Sequence, residues 1–143
     1  MKIVLGWPPN IKLVMEHFPI PRDVAVYFTY GDSLYSPRVE NVPAKIIQHE
    51  KVHEIQQRDF KDPTYTLKGP DAWWRKYIDD VQFRLEQEYA AYGAQVKYIR
   101  ETKGSAAAQN EADLCSAALS SPVYGDIISK EAAKIAILKY SIL

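Results

Sequence analysis

Two of the chain's three histidines, His49 and His53, stand four residues apart with a glutamate, Glu50, directly after the first. On a helix, positions i and i+4 lie about 40° apart around the axis, so both imidazoles can reach one metal ion. Glu50 falls about 60° to the side of His53 by the same count. There it can touch a metal-bound water without being a ligand. The spacing H-E-x-x-H is the one that holds Zn2+ from a single helix. Zinc lowers the pKa of its water towards about 7, and a neighbouring carboxylate takes the proton. The chemistry expected is metal-assisted hydrolysis, with Glu50 as general base. The bland alternative is a pair of solvated helix histidines beside a glutamate.

Two histidines do not complete a zinc site, and a third protein ligand is required. A long apolar-periodic stretch downstream carries Glu86 and Glu88. At 100° per residue, Trp74, Tyr77, Val81, Leu85, Tyr92 and Ile99 all fall within about 60° of Glu88, whereas Glu86 is about 160° away. Glu88 therefore sits at the centre of the buried stripe. A carboxylate there is costly unless it is paired or bound to metal. The expected ligands are His49, His53 and Glu88. A competing scheme continues H-E-x-x-H with H-x-x-G-x-x-H. It meets Gln56 where glycine is needed and Asp59 at the last ligand position. Asp59 is the alternative third ligand.

These residues need elements to position them. Asn10 to Phe18 reads as a short helix between Pro8-Pro9 and Pro19, with His17 at its surface end. Asp23 to Tyr30 is β-branched and aromatic and predicts a strand. Gly31-Asp32 predicts a turn, and Ser33 to Ser36 a returning strand. Pro43 opens the histidine helix, which is expected to reach Arg58 with Lys51 and Arg58 on its wet side. Residues 59 to 71 read as a loop, followed by one long helix to about Thr102. Ser105 to Ser120 predicts another helix, and Ser129 caps a last one to Tyr140, with Ile135, Ile137 and Leu138 for packing. The expected fold is α+β and mostly helical, with a small antiparallel hairpin beside an active-site helix and a long second ligand helix.

The 143 residues suit a single domain, with 18 basic and 18 acidic side chains cancelling. No nucleic-acid or anionic-membrane partner is expected from bulk charge. No signal-like or membrane-spanning run is read in the chain. The single cysteine, Cys115, reads as a packing residue of a reducing compartment.

The motif and the segment Leu85-Glu86-Gln87-Glu88-Tyr89-Ala90-Ala91 resemble the gluzincin type of metallopeptidase, whose E-x-E stretch supplies the ligand with its second glutamate. The resemblance spans about Tyr27 to Ile99. It departs from the usual pattern at Tyr89 and Tyr92, where many gluzincins carry alanine and aspartate. It implies a zinc metalloendopeptidase in a minimal version, of a kind found among bacterial and phage-encoded proteins; with no signal-like or membrane-spanning run, the expected location is cytoplasmic or virion-associated. The resemblance also implies a peptide or protein substrate, laid as a strand along the Val24–Tyr30 edge, and a tyrosine or histidine that stabilises the tetrahedral intermediate, for which Tyr92 and Tyr89 are the candidates. The alternative is a metal-stabilised structural protein assembled into a larger particle, such as a phage or secretion component, without proteolysis.

Overall fold

Prolines and capping side chains set most of the element boundaries. The computed structural model describes all 143 residues. Helix α1 spans Ile11–His17, between the proline pairs, and buries Val14. Helix α2 spans Ala44–Arg58 and starts directly after Pro43. Helix α5 spans Ser105–Leu119, and α6 spans Lys130–Tyr140. The Ser129 hydroxyl accepts the Ala132 N–H at 3.2 Å, which caps α6 as its sequence predicts. A 3-10 turn, Pro122–Tyr124, separates α5 from α6. The fold is α+β and mostly helical, and no helix is long and apolar enough to cross a membrane.

The sheet differs from a simple hairpin. Strand β2 covers only Phe28–Tyr30, and it pairs antiparallel with β3, Ser33–Tyr35. A further strand, β1 at Lys2–Val4, pairs with β3 in parallel, giving the order β1-β3-β2. The strand expected from Asp23 stops short for a local reason. Asp23 has φ of 58°, a left-handed backbone that ends a strand. The carbonyls of Pro21 and Val24 accept from the Arg38 guanidinium instead of a neighbouring strand.

The single long helix is in fact two, α3 at Pro70–Asp79 and α4 at Val81–Lys103. Asp80 is extended at the break, and its carboxylate accepts the Phe83 N–H at 3.0 Å. It is an N-cap inside what reads as continuous apolar periodicity. Arg84 then covers the open end of α3. Its guanidinium donates to the carbonyls of Tyr77 and Ile78, two of the orphan acceptors at that terminus. One consequence is that Val81, placed on the buried stripe by periodicity, is exposed at the break. Ile135 is likewise exposed, while Ile137 is fully buried.

Helix α4 is the hub, packing against α2, α3, α5 and α6. It touches two apolar clusters. One joins Leu85, Tyr92 and Val96 of α4 to α5 and to Ile137 of α6. The other joins Val14 and Phe18 to Trp73, Trp74 and Tyr77 of α3. The closest approach is at Gly93, where an added Cβ would lie 2.7 Å from Tyr140 Cβ and 2.9 Å from the Tyr140 carbonyl carbon. Gly93→Ala is expected to destabilise the protein by about 1–3 kcal/mol, because a backbone atom must move. Denaturant unfolding measures this, and a neutral substitution would contradict the α4–α6 packing.

Candidate metal centre

The buried face of α2 is entirely polar: His49, Glu50, His53 and Gln57. Its apolar Ile55 points outward instead. A helix buries such a face only where every polar group finds a partner. Gln57 is fully buried and finds its partners in the hairpin. Its amide donates to the Thr29 carbonyl at 2.9 Å and accepts from the Gly31 N–H at 2.9 Å. Gly31 has φ of 63°, so the tight turn presents that N–H to the helix. These bonds fix β2 against α2.

Glu50 is held by the same strand. The Thr29 hydroxyl donates to Glu50 Oε2 at 2.6 Å. The carboxylate faces the cleft, a cavity of about 380 Å³ that also reaches His49, His53 and Glu88.

Glu88 comes from the middle of α4 and is only 3% exposed. Its Oε2 lies 3.3 Å from His49 Nε2, and its Oε1 lies 3.5 Å from His53 Nε2. The two Nε2 atoms are 3.2 Å apart. Each residue offers one ligand atom within 4.8 Å of the others. Glu86, by contrast, is exposed and bonded to Gln82. Asp59, the alternative third ligand, is exposed at the end of α2 and outside the cluster.

Hydrogen-bond partners determine which ring nitrogens carry protons. His49 Nδ1 faces Gln95 Oε1 at 3.1 Å, and the amide's other end donates to the Glu111 carboxylate at 2.7 Å. His53 Nδ1 faces Gln56 Oε1 at 2.8 Å, and that amide donates to the Gln87 carbonyl at 3.2 Å. Both amides must therefore turn their oxygens to the imidazoles. Each neutral ring keeps its proton on Nδ1 and points a bare Nε2 at Glu88. Glu88 Oε2 is left as a buried acceptor with no hydrogen bond. Its Oε1 accepts from the Tyr77 hydroxyl at 2.6 Å.

When both rings are neutral, three lone-pair donors thus converge, a place for a cation that a proton on His53 fills in the metal-free protein. Two atoms bound about 2.05 Å from a tetrahedral ion lie about 3.3 Å apart. The 3.2 Å between the two Nε2 atoms and the 3.3 Å from His49 Nε2 to Glu88 Oε2 match that edge, and the other oxygen, Oε1, is the one 3.5 Å from His53 Nε2. The residues fit a divalent cation such as Zn2+, and no fourth protein ligand joins them.

Electrostatics agree. Burial works to lower the His53 pKa, but the Glu88 carboxylate outweighs it and pushes His53 up to about 9. Burial works to raise Glu88, but the imidazoles outweigh it and hold that carboxyl well below the usual carboxylate range. Without a metal, a proton balances the charge. Burial, and then the Glu88 charge, push Tyr77, Tyr92 and Tyr124 well above the ordinary phenol value. Their hydroxyls stay protonated.

Tyr92 lies where its ring packs edge-on against His49, with centroids 4.4 Å apart. Its hydroxyl is bonded to that of Tyr124 at 2.6 Å. Tyr77, Gln56, Gln95 and Thr29 complete the site without having been singled out from the sequence. Gln95 lies on the same face of α4 as Tyr92 and Ile99, so the periodicity that marks Glu88 as a buried polar residue marks it too. His17 is exposed on α1 and is not among the clustered residues. Cys115 is 2% exposed, and burial pushes its thiol up, which suits packing rather than nucleophilic attack.

A scan against protein-family models and searches of curated proteins and of solved structures each find no match. The functional reading therefore rests on the site alone.

Stoichiometric zinc is expected to raise stability, by about 2.7 kcal/mol when free zinc is 100 times Kd. Glu88→Ala is expected to abolish that gain, and Glu86→Ala to leave it intact. Thermal melts with and without zinc measure both, and equal effects of the two variants would remove Glu88 from the site.

Proposed function

We propose that the chain is a zinc-dependent peptidase of the gluzincin kind, with His49, His53 and Glu88 holding the metal and Glu50 as general base. The observation that carries this reading is the group His49, His53 and Glu88, with no fourth protein ligand, lining the same cleft as Glu50. Structural zinc sites are closed by four protein ligands, and hydrolytic ones keep a position for water. Here the ligands stop at three and the cleft begins.

Zinc, when bound, supplies an acidified water and polarises a carbonyl. The protein's own groups do the rest. Glu50 accepts the proton of the attacking water and returns it to the leaving amine. The Thr29 hydroxyl keeps that carboxylate aimed at the cleft. Tyr77 holds Glu88 by one oxygen and leaves the other free. The Tyr92 ring limits how far His49 can swing.

Substrate alignment falls to the segment before β2. The Thr29 carbonyl already accepts from both Gln57 and Trp74, so its two lone pairs are used. Strand addition at Thr29 itself has no acceptor left. The backbone of Ala25, Val26 and Tyr27 makes no hydrogen bond within the chain, and all three residues line the cleft. Their free N–H and C=O groups offer an extended peptide its partners. The cleft walls are mainly apolar, which suits an unfolded segment with apolar side chains.

Glu50→Gln is expected to keep bound zinc and lower hydrolysis of an unfolded protein by roughly 10²- to 10⁴-fold, since an amide cannot take the proton. Chelator is expected to stop the wild-type reaction. Cleavage that survives both treatments would overturn this assignment.

A further inference from the structure

One buried carboxylate takes no part in the chemistry just described. Glu111 lies on α5 and is 6% exposed. Its Oε1 accepts from Lys45 Nζ at 2.9 Å, and its Oε2 accepts from the Gln95 amide at 2.7 Å. Lys45 stands one turn before His49 on α2. The path from His49 through Gln95 and Glu111 to Lys45 therefore leaves α2, crosses α4 and α5, and returns to α2. Cys115 Sγ is the remaining neighbour, 3.9 Å from Glu111 Oε2.

The chemistry of this path is directional. An amide's oxygen and nitrogen ends are nearly equal in size, so packing alone does not orient Gln95. A carboxylate accepts hydrogen bonds and donates none, so Glu111 admits only the NH2 end. The oxygen end is then forced onto His49 Nδ1, where it must meet a proton. With that proton on Nδ1, Nε2 is bare and can bind a cation. The reversed amide would present NH2 to Nδ1 and drive the ring proton to Nε2, which cannot ligate.

We propose that Glu111 is a positioning residue that selects the metal-binding tautomer of His49 through Gln95, with Lys45 holding Glu111 in place. The purpose of this device rests on the metal reading above, but the tautomer itself is a property of the metal-free protein and is tested separately.

The experiment is a long-range ¹H–¹⁵N correlation spectrum of the metal-free protein, with ¹⁵N-labelled histidine, at a pH where His49 is neutral. It reads which ring nitrogen carries the proton. The wild type is expected to show His49 protonated on Nδ1. Glu111→Gln keeps the side-chain volume but lets both amides reverse. It is expected to place the proton on Nε2 in a measurable share of molecules and to weaken zinc binding by about 10- to 100-fold. Gln95→Met serves as a second variant with the same expected tautomer shift. A role confined to packing would lower the melting temperature and leave the tautomer unchanged, and that result would overturn the proposal. So would a wild-type His49 protonated on Nε2. A wild type with the expected tautomer, shifted in both variants, yet without zinc affinity, would support the positioning role and sink the metal reading instead.

Discussion

Mutual repulsion among three acceptors shapes the interior of this protein. Two Nε2 atoms and the two oxygens of one carboxylate meet at separations of 3.2 to 3.5 Å, one oxygen facing each ring, in a region where each donor residue is no more than 6% exposed. Water cannot screen them there, and an unsatisfied buried acceptor costs about 1–3 kcal/mol. Only a positive charge makes the arrangement favourable. The Glu88 carboxylate draws a proton onto His53 when nothing stronger is present. A divalent cation satisfies all three donors at once. The apolar clusters on either side hold the donors together against this repulsion, since Trp73 packs against His53 and Tyr92 against His49.

That constraint explains why α2 breaks the usual rule of amphipathic helices. Its inward face is His49, Glu50, His53 and Gln57, and an isoleucine faces solvent. Such a helix gains little from burial, so it must be held by directional bonds. Gln57 ties it to the hairpin turn and to β2, and Gln56 ties it to the backbone of α4. Local departures of this kind are expected where a sequence serves a site rather than a core.

The parts legible in the sequence were those set by short-range spacing. The i, i+4 histidines place both imidazoles on one face of α2, whatever surrounds them, and proline and serine mark the helix starts at Pro43 and Ser129. Glu88 was legible because a charge in an apolar stripe needs a reason. The apolar periodicity around it runs unbroken through Asp80, however, and joins Trp74 and Tyr77 of α3 to the stripe of α4. The conclusion survives because Leu85, Tyr92 and Ile99 flank Glu88 within α4 itself. What was not legible depends on distant pairing. Strand β1 is three exposed residues whose only reason to be a strand is Ser33–Tyr35, some 30 positions away. Thr29, Tyr77 and Glu111 matter through partners 11 to 21 residues off, and nothing in their neighbours announces this.

The two imidazoles are not equivalent, and the difference has a consequence for how the site tolerates change. His53 is oriented through Gln56, whose amide ends on a main-chain carbonyl of α4. That carbonyl is present whatever side chain stands at position 87. His49 is oriented through Gln95, whose amide ends on a side chain of another helix. If Glu111 positions Gln95 as proposed, the orientation of His49 depends on the identity of residue 111 and on α5 staying packed against α4. Substitutions in α5 that shift Glu111, even without touching the cleft, reach the hydrogen-bond partner of His49 and not that of His53. The C-terminal half of the chain, which carries none of the proposed metal ligands beyond Glu88, is in this way part of the site's architecture.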